Sequence, residues 1–273
     1  TSLTPSPSPI LERGPGGEAI VLVVEDNPEL RQFIKKPITS AGWQVIEASD
    51  GEEGVRKALE LLPDLIISDV MMPRKDGYTL CDELKNNELT SHIPIILLTA
   101  KSALDSKLKG LRRGADDYLT KPFNTEELVA RMENLVETRR KVRQRYQKEF
   151  SGAVPAPNAT EETNHFLSDP DRAFLRRFTL MVEQHLTDES MGVEEFAQKM
   201  LLSRTQLFRK IKALTDQNVA DFVRDYRLDR AMIMLRNREG NVSEVSLRTG
   251  FGSEKYFSRA FKERFGIPPS KAT

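Results

Sequence analysis

Short apolar runs alternate with helical patterns through the first half of the chain, and this alternation limits its possible folds more than any other feature. Five such runs lie at residues 19–24, 43–47, 65–67, 93–98 and 117–119. Runs of this length are typical of buried strands rather than helices. Strands that alternate with helices form a parallel sheet with helices on both faces. Residues 19–137 are therefore predicted to form an α/β domain with a doubly wound, five-stranded parallel sheet.

Four helices are predicted between the strands, at residues 29–41, 51–62, 78–86 and 103–113. Asn27 or Asp26 is expected to cap the first of them. Pro37 lies inside that helix and should kink it or cut it short, because proline cannot donate a main-chain hydrogen bond.

Polar side chains follow four of the strands, at the points where the strands end. Glu25 and Asp26 follow the first strand, Asp69 the third, Thr99 the fourth and Lys121 the fifth. The carboxyl ends of parallel strands meet at one edge of the sheet, where α/β proteins place their sites. An aspartate that ends a strand is more often only a turn former or a helix cap, so the interpretation depends on the whole set.

Three carboxylates at one edge need compensation, because like charges within a few ångströms disfavour joint ionisation. Mg²⁺ is suited to such a site, since it takes oxygen ligands and often bridges a carboxylate to a phosphoryl group. In this setting Asp69 is a candidate nucleophile toward phosphorus. Lys121 can pair with phosphoryl oxygens, and the Thr99 hydroxyl can donate a hydrogen bond to them.

At these residues the sequence resembles the receiver domain of response regulators. The resemblance rests on Glu25-Asp26, on SDVMMPRKDG around Asp69, on Thr99-Ala100 and on Lys121-Pro122-Phe123. It implies a flavodoxin-like fold in which Asp69 accepts a phosphoryl group. An unphosphorylated, degenerate receiver is the alternative.

The resemblance also assigns roles within the pocket. Asp26, Asp69 and the main-chain carbonyl of Met71 would bind Mg²⁺, with Glu25 acting through water. Tyr118 would be the aromatic residue whose rotation follows Thr99 after phosphorylation. The Lys121-Pro122 peptide would be cis.

Charge is distributed unevenly along a chain whose net charge is zero. Residues 19–137 carry 15 Lys and Arg against 21 Asp and Glu, a net charge of −6, whereas residues 193–273 carry 16 against 10, a net charge of +6. Residues 138–150 add a net charge of +5. The basic end favours a polyanionic partner such as DNA, although a modest excess of cations is also typical of a solvated surface.

The single cysteine, Cys81, excludes an intrachain disulfide framework and fits a reducing compartment. No apolar run approaches the roughly 18–20 residues of a membrane span, so a cytoplasmic location is expected. Residues 1–18 are predicted to be a flexible linker or a chain end, because they are rich in Ser, Pro and Gly. The chain is expected to be a piece of a larger protein, although a processed terminus would explain the same start.

A helix is predicted to begin near Thr125 and to continue beyond the first domain, so residues 138–168 are read as a helical extension and a flexible linker. Its apolar stripe contains Arg139. The stripe is compatible with a short coiled coil or with a helix packed on its own domain, and the sequence leaves both open. The members of this stripe are Leu128, Met132, Leu135, Val142 and Tyr146.

Residues 169–273 are predicted to be helical and to contain two helix-turn-helix units. The first pairs a helix at 192–200 with one at 204–214, for which Ser203 is a plausible N-cap. The second pairs a helix at 241–249 with one at 253–265, and a long helix at 219–236 lies between the units. Apolar residues at helical spacing are expected to face inward, and these include Phe208, Tyr256, Phe257 and Phe261.

Polar and cationic residues are expected to project outward from the second helix of each unit. Arg204, Gln206 and Arg209 in the first unit and Lys255 and Arg259 in the second are the first choices for contacts with base edges. The full set of candidate DNA-contacting residues is Ser203, Arg204, Thr205, Gln206, Arg209, Lys210, Ser253, Lys255, Tyr256 and Arg259.

Residues 182–270 resemble the DNA-binding domain of the AraC/XylS type. The strongest stretch is GFGSEKYFSRAFKERFGIPP, which begins at Gly250 and ends at Pro269. The sequence departs from the family pattern at residues 216–219 and at Ala272, neither of which lies on the predicted recognition faces. The long helix at 219–236 is able to hold the two units at a fixed separation, and second helices one duplex turn apart, about 34 Å, could then enter successive major grooves on one face of double-stranded DNA.

Together the two halves predict a transcriptional regulator that is controlled by phosphorylation and is not an enzyme in the ordinary sense. Its partners would be DNA, a histidine kinase and a second copy of itself in the phosphorylated state. The architecture resembles the C-terminal part of a hybrid two-component sensor, and a stand-alone regulator is the alternative within this class. Two further hypotheses stay open: a phosphorelay receiver with a protein-binding helical half, and a constitutive DNA binder with a vestigial receiver.

Overall fold

The computed structural model describes residues 19–100, 114–150 and 168–272. The chain divides into two compact units, Thr1–Val142 and Arg143–Thr273.

The first unit is built on a five-stranded sheet in which every neighbouring pair of strands is parallel. The strand order is β2-β1-β3-β4-β5. This order reverses direction beside β1, so that β1 and β3 present their carboxyl ends together at the edge where ligands bind in doubly wound folds. The strands are β1 (Ile20–Val24), β2 (Gln44–Ala48), β3 (Leu65–Asp69), β4 (Ile95–Ala100) and β5 (Asp117–Lys121).

Helices cover both faces of this sheet. On one face α1 (Pro28–Ser40) and α4 (Thr125–Phe150) pack against the strands, and on the other face α2 (Gly51–Leu61) and α3 (Gly77–Asn86) do so. The central strands β1, β3 and β4 form near-continuous apolar runs because both of their faces are buried, and β1 and β3 are buried at all five positions. The flavodoxin-like architecture expected from the sequence is thus confirmed. The predicted helix at 103–113 lies outside the described residues.

Pro37 does not cut α1 short, because the helix continues to Ser40. Proline removes the hydrogen bond that its nitrogen would donate to the carbonyl four residues earlier, which belongs to Phe33. Phe33 is 51% exposed, so the affected turn of α1 lies at the surface. The predicted cap is confirmed at Asn27, whose side chain accepts hydrogen bonds from the main-chain N–H groups of Glu29 and Leu30 at 2.9 and 3.1 Å.

The helix predicted to begin near Thr125 is α4, and it runs on to Phe150. Its first half packs on its own unit, since Leu128 and Met132 are fully buried in the sheet core. Arg139 continues this attachment through an ion pair with Asp116, at 2.6 Å between Nη2 and Oδ1. Up to Arg139 the structure therefore matches packing on the domain rather than a coiled-coil seam.

The second unit is helical over its described residues. Phe178 of the first helix packs against the second and the fourth, because its ring lies 5.7 Å from that of Phe196 and 5.4 Å from that of Phe222. A second core joins the last three helices around Phe257 and Phe261. The helices are α5 (Asp169–Gln184), α6 (Val193–Lys199), α7 (Arg204–Thr215), α8 (Val219–Arg236), α9 (Val242–Arg248) and α10 (Glu254–Phe265).

Among the residues that the structure describes, no helix combines the length and the apolar character that crossing a membrane requires.

Candidate functional site

Three carboxylates converge at the carboxyl edge of the sheet, as the order of strand ends predicts. Glu25 and Asp26 directly follow β1, and Asp69 is the last residue of the adjacent strand β3. One oxygen from each lies within 4.8 Å of the others. Glu25 and Asp69 are buried at 1% and 6% exposure, whereas Asp26 is exposed.

Lys121, at the end of β5, reaches the same point. Its Nζ lies 2.9 Å from Oε2 of Glu25 and 2.9 Å from Oδ1 of Asp69. Burial raises the pKa of the Glu25 carboxyl above its ordinary value, with the Asp69 carboxylate adding to the increase and the hydrogen bond from Lys121 opposing it. Burial acts to lower the pKa of Lys121, but the hydrogen bonds to Asp69 and Glu25 outweigh it and the pKa is raised. Lys121 therefore holds its positive charge between the two buried carboxylates.

The main chain around the acidic cluster is held by its neighbours. The amide of Val70 donates to Oδ1 of Asp69 at 2.8 Å, and the amide of Asn27 donates to Oε1 of Glu25 at 3.3 Å. Arg31 of α1 donates from Nη1 to the main-chain carbonyl of Glu25 at 2.6 Å. Sequence reasoning missed Arg31, although its place one turn into the helix after the acidic pair is a signal that could have identified it.

The loop after Asp69 turns back tightly on the strand. The amide of Gly77 donates to the carbonyl of Val70 at 3.0 Å, and a Cβ at Gly77 would lie only 2.1 Å from the main-chain oxygen of Asp69. Arg74, in the same loop, has a positive φ of 65° and pairs with Asp50, the buried N-cap of α2. The contact between Arg74 and Asp50 has no local signal in the sequence, because the two residues are 24 positions apart.

Thr99 lies on β4, the strand beside β3, and Tyr118 lies on β5, the next strand out. Thr99 is 5% exposed and is placed one residue beyond Leu98, the register partner of Asp69. Tyr118 pairs in register with Leu97 and packs half-buried against the core on the α2 and α3 face. Its hydroxyl is buried without a hydrogen-bond partner in the part of the chain that the structure describes. The peptide that follows Lys121 is cis to Pro122, as the resemblance implied.

The donor set suits Mg²⁺. Glu25, Asp26 and Asp69 supply only oxygen ligands, and with Lys121 the four side chains carry a net charge of about −2 when all are ionised. Asp26 is open to solvent, which fits a cation that keeps several waters. Met71 follows in the loop and is 73% exposed. The predicted Mg²⁺ ligand at this position is its main-chain carbonyl rather than its side chain.

The first helix-turn-helix unit is formed by α6 and α7 as predicted, and Ser203 caps α7. The amide of Gln206 donates to the Ser203 hydroxyl at 3.1 Å, and Oε1 of Gln206 accepts from the Ser203 amide at 2.9 Å. This capping box occupies the oxygen that a bidentate contact with adenine would need. Arg204 and Thr205 are exposed, and Arg209 is half-buried, with burial lowering its pKa.

The prediction that Lys210 projects outward is wrong. Its side chain is completely buried, and its Nζ lies 2.5 Å from Oδ1 of the buried Asp171 on α5. Lys210 is only about 60° around the helix from the core residue Leu207 at 100° per residue, so it can reach inward. No signal in the sequence indicates its partner, which lies 39 residues earlier.

The second unit is formed by α9 and α10, with Ser253 capping α10. Lys255 and Arg259 are exposed. The prediction that Tyr256 faces inward is wrong, because this residue is 44% exposed. It lies about 100° from the core residue Phe257, at the edge of the buried face, where its ring contacts Phe251 at 6.0 Å between centroids and Arg259 at 5.7 Å.

Family comparisons divide the chain in the same way. Residues 21–133 match the response regulator receiver domain, and residues 196–273 match a helix-turn-helix domain.

The chain is 39% identical to Histidine kinase P4 of Formosa agariphila over 254 residues, which cover 93% of this chain and 18% of that protein. It is 44% identical to the phosphate regulon transcriptional regulatory protein PhoB of Pseudomonas aeruginosa over 112 residues, which cover 41% of this chain and 49% of that protein. A crystal structure of a putative response regulator from Chloroflexus aurantiacus is 38% identical, with a TM-score of 0.42, and the match covers 44% of this chain and 98% of that one. The chain thus spans less than half of the length of both curated relatives.

Proposed function

We propose that this chain is a response regulator in which phosphorylation of Asp69 controls binding to DNA, because it contains a receiver domain and an AraC-type helix-turn-helix domain. The observation that carries this proposal is the convergence of Lys121 and three carboxylates at the end of β3, with Lys121 2.9 Å from Asp69. A receiver joined to a helix-turn-helix domain fits a two-component transcription factor.

The phosphoryl donor in this proposal is a phosphohistidine of a histidine kinase. An oxygen of Asp69 attacks the phosphorus, an O–P bond forms, and the P–N bond breaks, so that its electron pair returns to the imidazole, which takes up a proton. The alignment of 93% of the chain with a histidine kinase supports a kinase partner, whether in the same polypeptide or in another.

Residues of this chain prepare the pocket for the added charge. Lys121 already lies beside Asp69, so its ammonium can pair with phosphoryl oxygens, and Thr99 can donate its hydroxyl hydrogen to one of them. Mg²⁺ held by Glu25, Asp26, Asp69 and the Met71 carbonyl would supply charge neutralisation of the carboxylates and the phosphoryl group. After phosphorylation, Thr99 would contact the phosphoryl group and the Tyr118 side chain would rotate in response.

The DNA interface consists of the exposed faces of α7 and α10. Arg204, Lys255 and Arg259 offer cations on these faces. Among the residues that the structure describes, Arg204 forms an ion pair with the exposed Glu194 alone, at 3.0 Å, and an exposed pair of this kind costs about 1 kcal/mol or less to break. These side chains are therefore able to exchange their present contacts for phosphates or bases. Dimerisation of the phosphorylated protein is part of the proposal.

The test is binding of the whole chain to a pool of random duplexes at several salt concentrations, with and without beryllofluoride and Mg²⁺. Beryllofluoride stands in for the phosphoryl group on Asp69. We expect a selected sequence whose affinity rises about tenfold with the mimic, equivalent to about 1.4 kcal/mol. Asp69→Asn should abolish this gain. Asp82→Asn is the matched control, since Asp82 is exposed on α3 away from the pocket and should leave the gain intact.

Each other outcome favours a different function. Selected binding that ignores the mimic would indicate a DNA-binding protein with an idle receiver. Binding no stronger than the electrostatic background, which falls steeply with salt and shows no selected sequence, would contradict the DNA-binding function and favour a protein partner for the helical unit.

A further inference from the structure

A buried ion pair joins the second helix of the first helix-turn-helix unit to the first turn of α5. Lys210 lies in the middle of α7 and Asp171 at the third position of α5, and their side chains are 0% and 2% exposed. The distance between Nζ and Oδ1 is 2.5 Å. The function proposed above assigns no role to this pair, either in the phosphorylation pocket or among the DNA contacts.

Other contacts fix both members of the pair. The Ser168 hydroxyl donates to Oδ2 of Asp171 at 2.7 Å, so both oxygens of that carboxylate are engaged. The Lys210 ammonium also lies 5.6 Å from the centroid of the Phe174 ring, on the same helix as Asp171. The pair is therefore held in one geometry from several directions.

Stability alone gives little reason for such a pair. Removing two charges from water costs about as much as their attraction returns, and apolar residues of similar volume often stabilise a fold equally well or better. A hydrogen-bonded ion pair differs from an apolar contact in being directional, because a shift of about 1 Å breaks it. Its distinctive effect is to fix the rotation and the axial position of α7 against α5.

We propose that the Asp171–Lys210 ion pair is the positioning contact that sets the orientation of α7 for DNA binding. Arg204 and Thr205 lie about 120° and 140° around the helix from Lys210. A rotation of α7 by about 15° would move atoms about 6 Å from its axis by about 1.5 Å, which is enough to break hydrogen bonds to base edges. This inference rests on the DNA binding proposed above. It makes Lys210 a positioning residue rather than a contact residue.

The experiment uses the full chain with the double substitution Asp171→Leu/Lys210→Met, which replaces both charges by apolar side chains and leaves neither partner buried alone. We expect its thermal midpoint to equal or exceed that of the wild type. In selection from random duplexes it should lose base preference at the positions read by α7 and keep the preference at those read by α10. Its affinity for the duplex selected by the wild type should fall about tenfold.

Two further variants keep the test decisive. Lys212→Met removes a cation from the same helix. Lys212 contacts the carboxylate and the main-chain carbonyl of its neighbour Asp216, at 2.9 and 2.5 Å, so this variant should weaken binding to all duplexes without changing their ranking. Asp171→Glu keeps both charges and lengthens the pair by one methylene, so it decides the matter if the double variant does not fold. It should weaken binding about threefold, again at one half of the site.

The outcomes separate this inference from the function on which it rests. If the wild type selects no sequence, the DNA-binding function itself fails. If the wild type selects a sequence and the folded double variant binds it within twofold and with the same base preferences, the ion pair is only structural and the inference is wrong. An equal loss of preference in both halves of the site would also overturn it.

Discussion

Removing the Tyr118 hydroxyl should stabilise the first unit. The hydroxyl is buried and unpaired among the described residues, while the ring packs half-buried against the core on the α2 and α3 face. Burial also raises the pKa of Tyr118 to about 12, as expected for a phenol in apolar surroundings. Tyr118→Phe keeps the ring and its contacts and deletes only the unpaired oxygen.

The size of the effect follows from the cost of the missing hydrogen bond. A buried donor or acceptor without a partner costs about 1–3 kcal/mol. The Tyr118 residue as a whole is only half-buried, so the hydroxyl can regain some contact with water through small motions, and the lower end of this range applies. We expect Tyr118→Phe to raise the free energy of unfolding by about 1 kcal/mol.

Equilibrium urea titration followed by tryptophan fluorescence measures this change in the correct unit. Trp43 is the only tryptophan in the sequence, and it is 3% exposed in the core on the α1 and α4 face. Its emission therefore reports unfolding of the first unit, and with a slope of about 1–3 kcal/mol per molar urea the midpoint should rise by about 0.3–1 M. Tyr78→Phe removes a phenol oxygen from the same core and is the control, for which no gain is expected. A loss of more than about 0.5 kcal/mol in Tyr118→Phe would show that the hydroxyl has a partner in solution, and the reasoning would be refuted.

Two further predictions use the same fluorescence titration. The pKa of Glu53 lies at about 2 instead of 4.5, mainly because Lys57 donates a hydrogen bond to it, with the Ser49 amide and hydroxyl adding to the effect. A carboxyl whose pKa is lowered on folding stabilises the folded state above pH 4.5, and this stabilisation is lost as the pH falls toward 2. Glu53→Gln should therefore lower the free energy of unfolding by about 1 kcal/mol at pH 6, after allowance for screening of a partly exposed side chain, and by clearly less at pH 3. Equal losses at both pH values would contradict this. Gly77→Ala should destabilise the first unit by about 2–3 kcal/mol, because the new Cβ would lie 2.1 Å from the Asp69 carbonyl oxygen. The control is Gly266→Ala in the other unit, which should leave the unfolding transition reported by Trp43 unchanged.

The sheet and its site could be predicted from the sequence because the relevant signals are local. The three central strands are apolar runs buried on both faces, and each functional side chain lies at or just after the end of a strand. Once the strands are parallel, topology alone brings Glu25, Asp69 and Lys121 to one edge. The sequence pattern contains no distances, so the contacts of Lys121 with both carboxylates required the structure.

The failures concern residues whose environment depends on distant partners. Helical periodicity places Lys210 at the border between the core and the surface, and only the position of Asp171 on another helix decides which way it turns. Tyr256 occupies the corresponding border on α10 and turns outward, because Phe257 and Phe261 already fill the core beside it. Pro37 was expected to kink or shorten α1, but the helix continues to Ser40, and the affected turn contains the exposed Phe33.

Charge counted from the sequence overstates the positive charge that the helical unit can offer to DNA. Lys210 is committed to Asp171, and Arg264 on α10 is committed to α8, through Asp229 at 2.9 and 2.7 Å and Asp225 at 2.8 Å. In each helix-turn-helix unit one cation of the second helix therefore holds that helix in place, while others on the same helix remain at the surface. Because the salt dependence of binding counts only the phosphates that the protein neutralises, at about −0.9 in the log–log slope for each, the slope should reflect the exposed cations such as Arg204, Lys255 and Arg259. Lys210 and Arg264 are already paired with carboxylates of the same unit, so neither should add to this salt dependence.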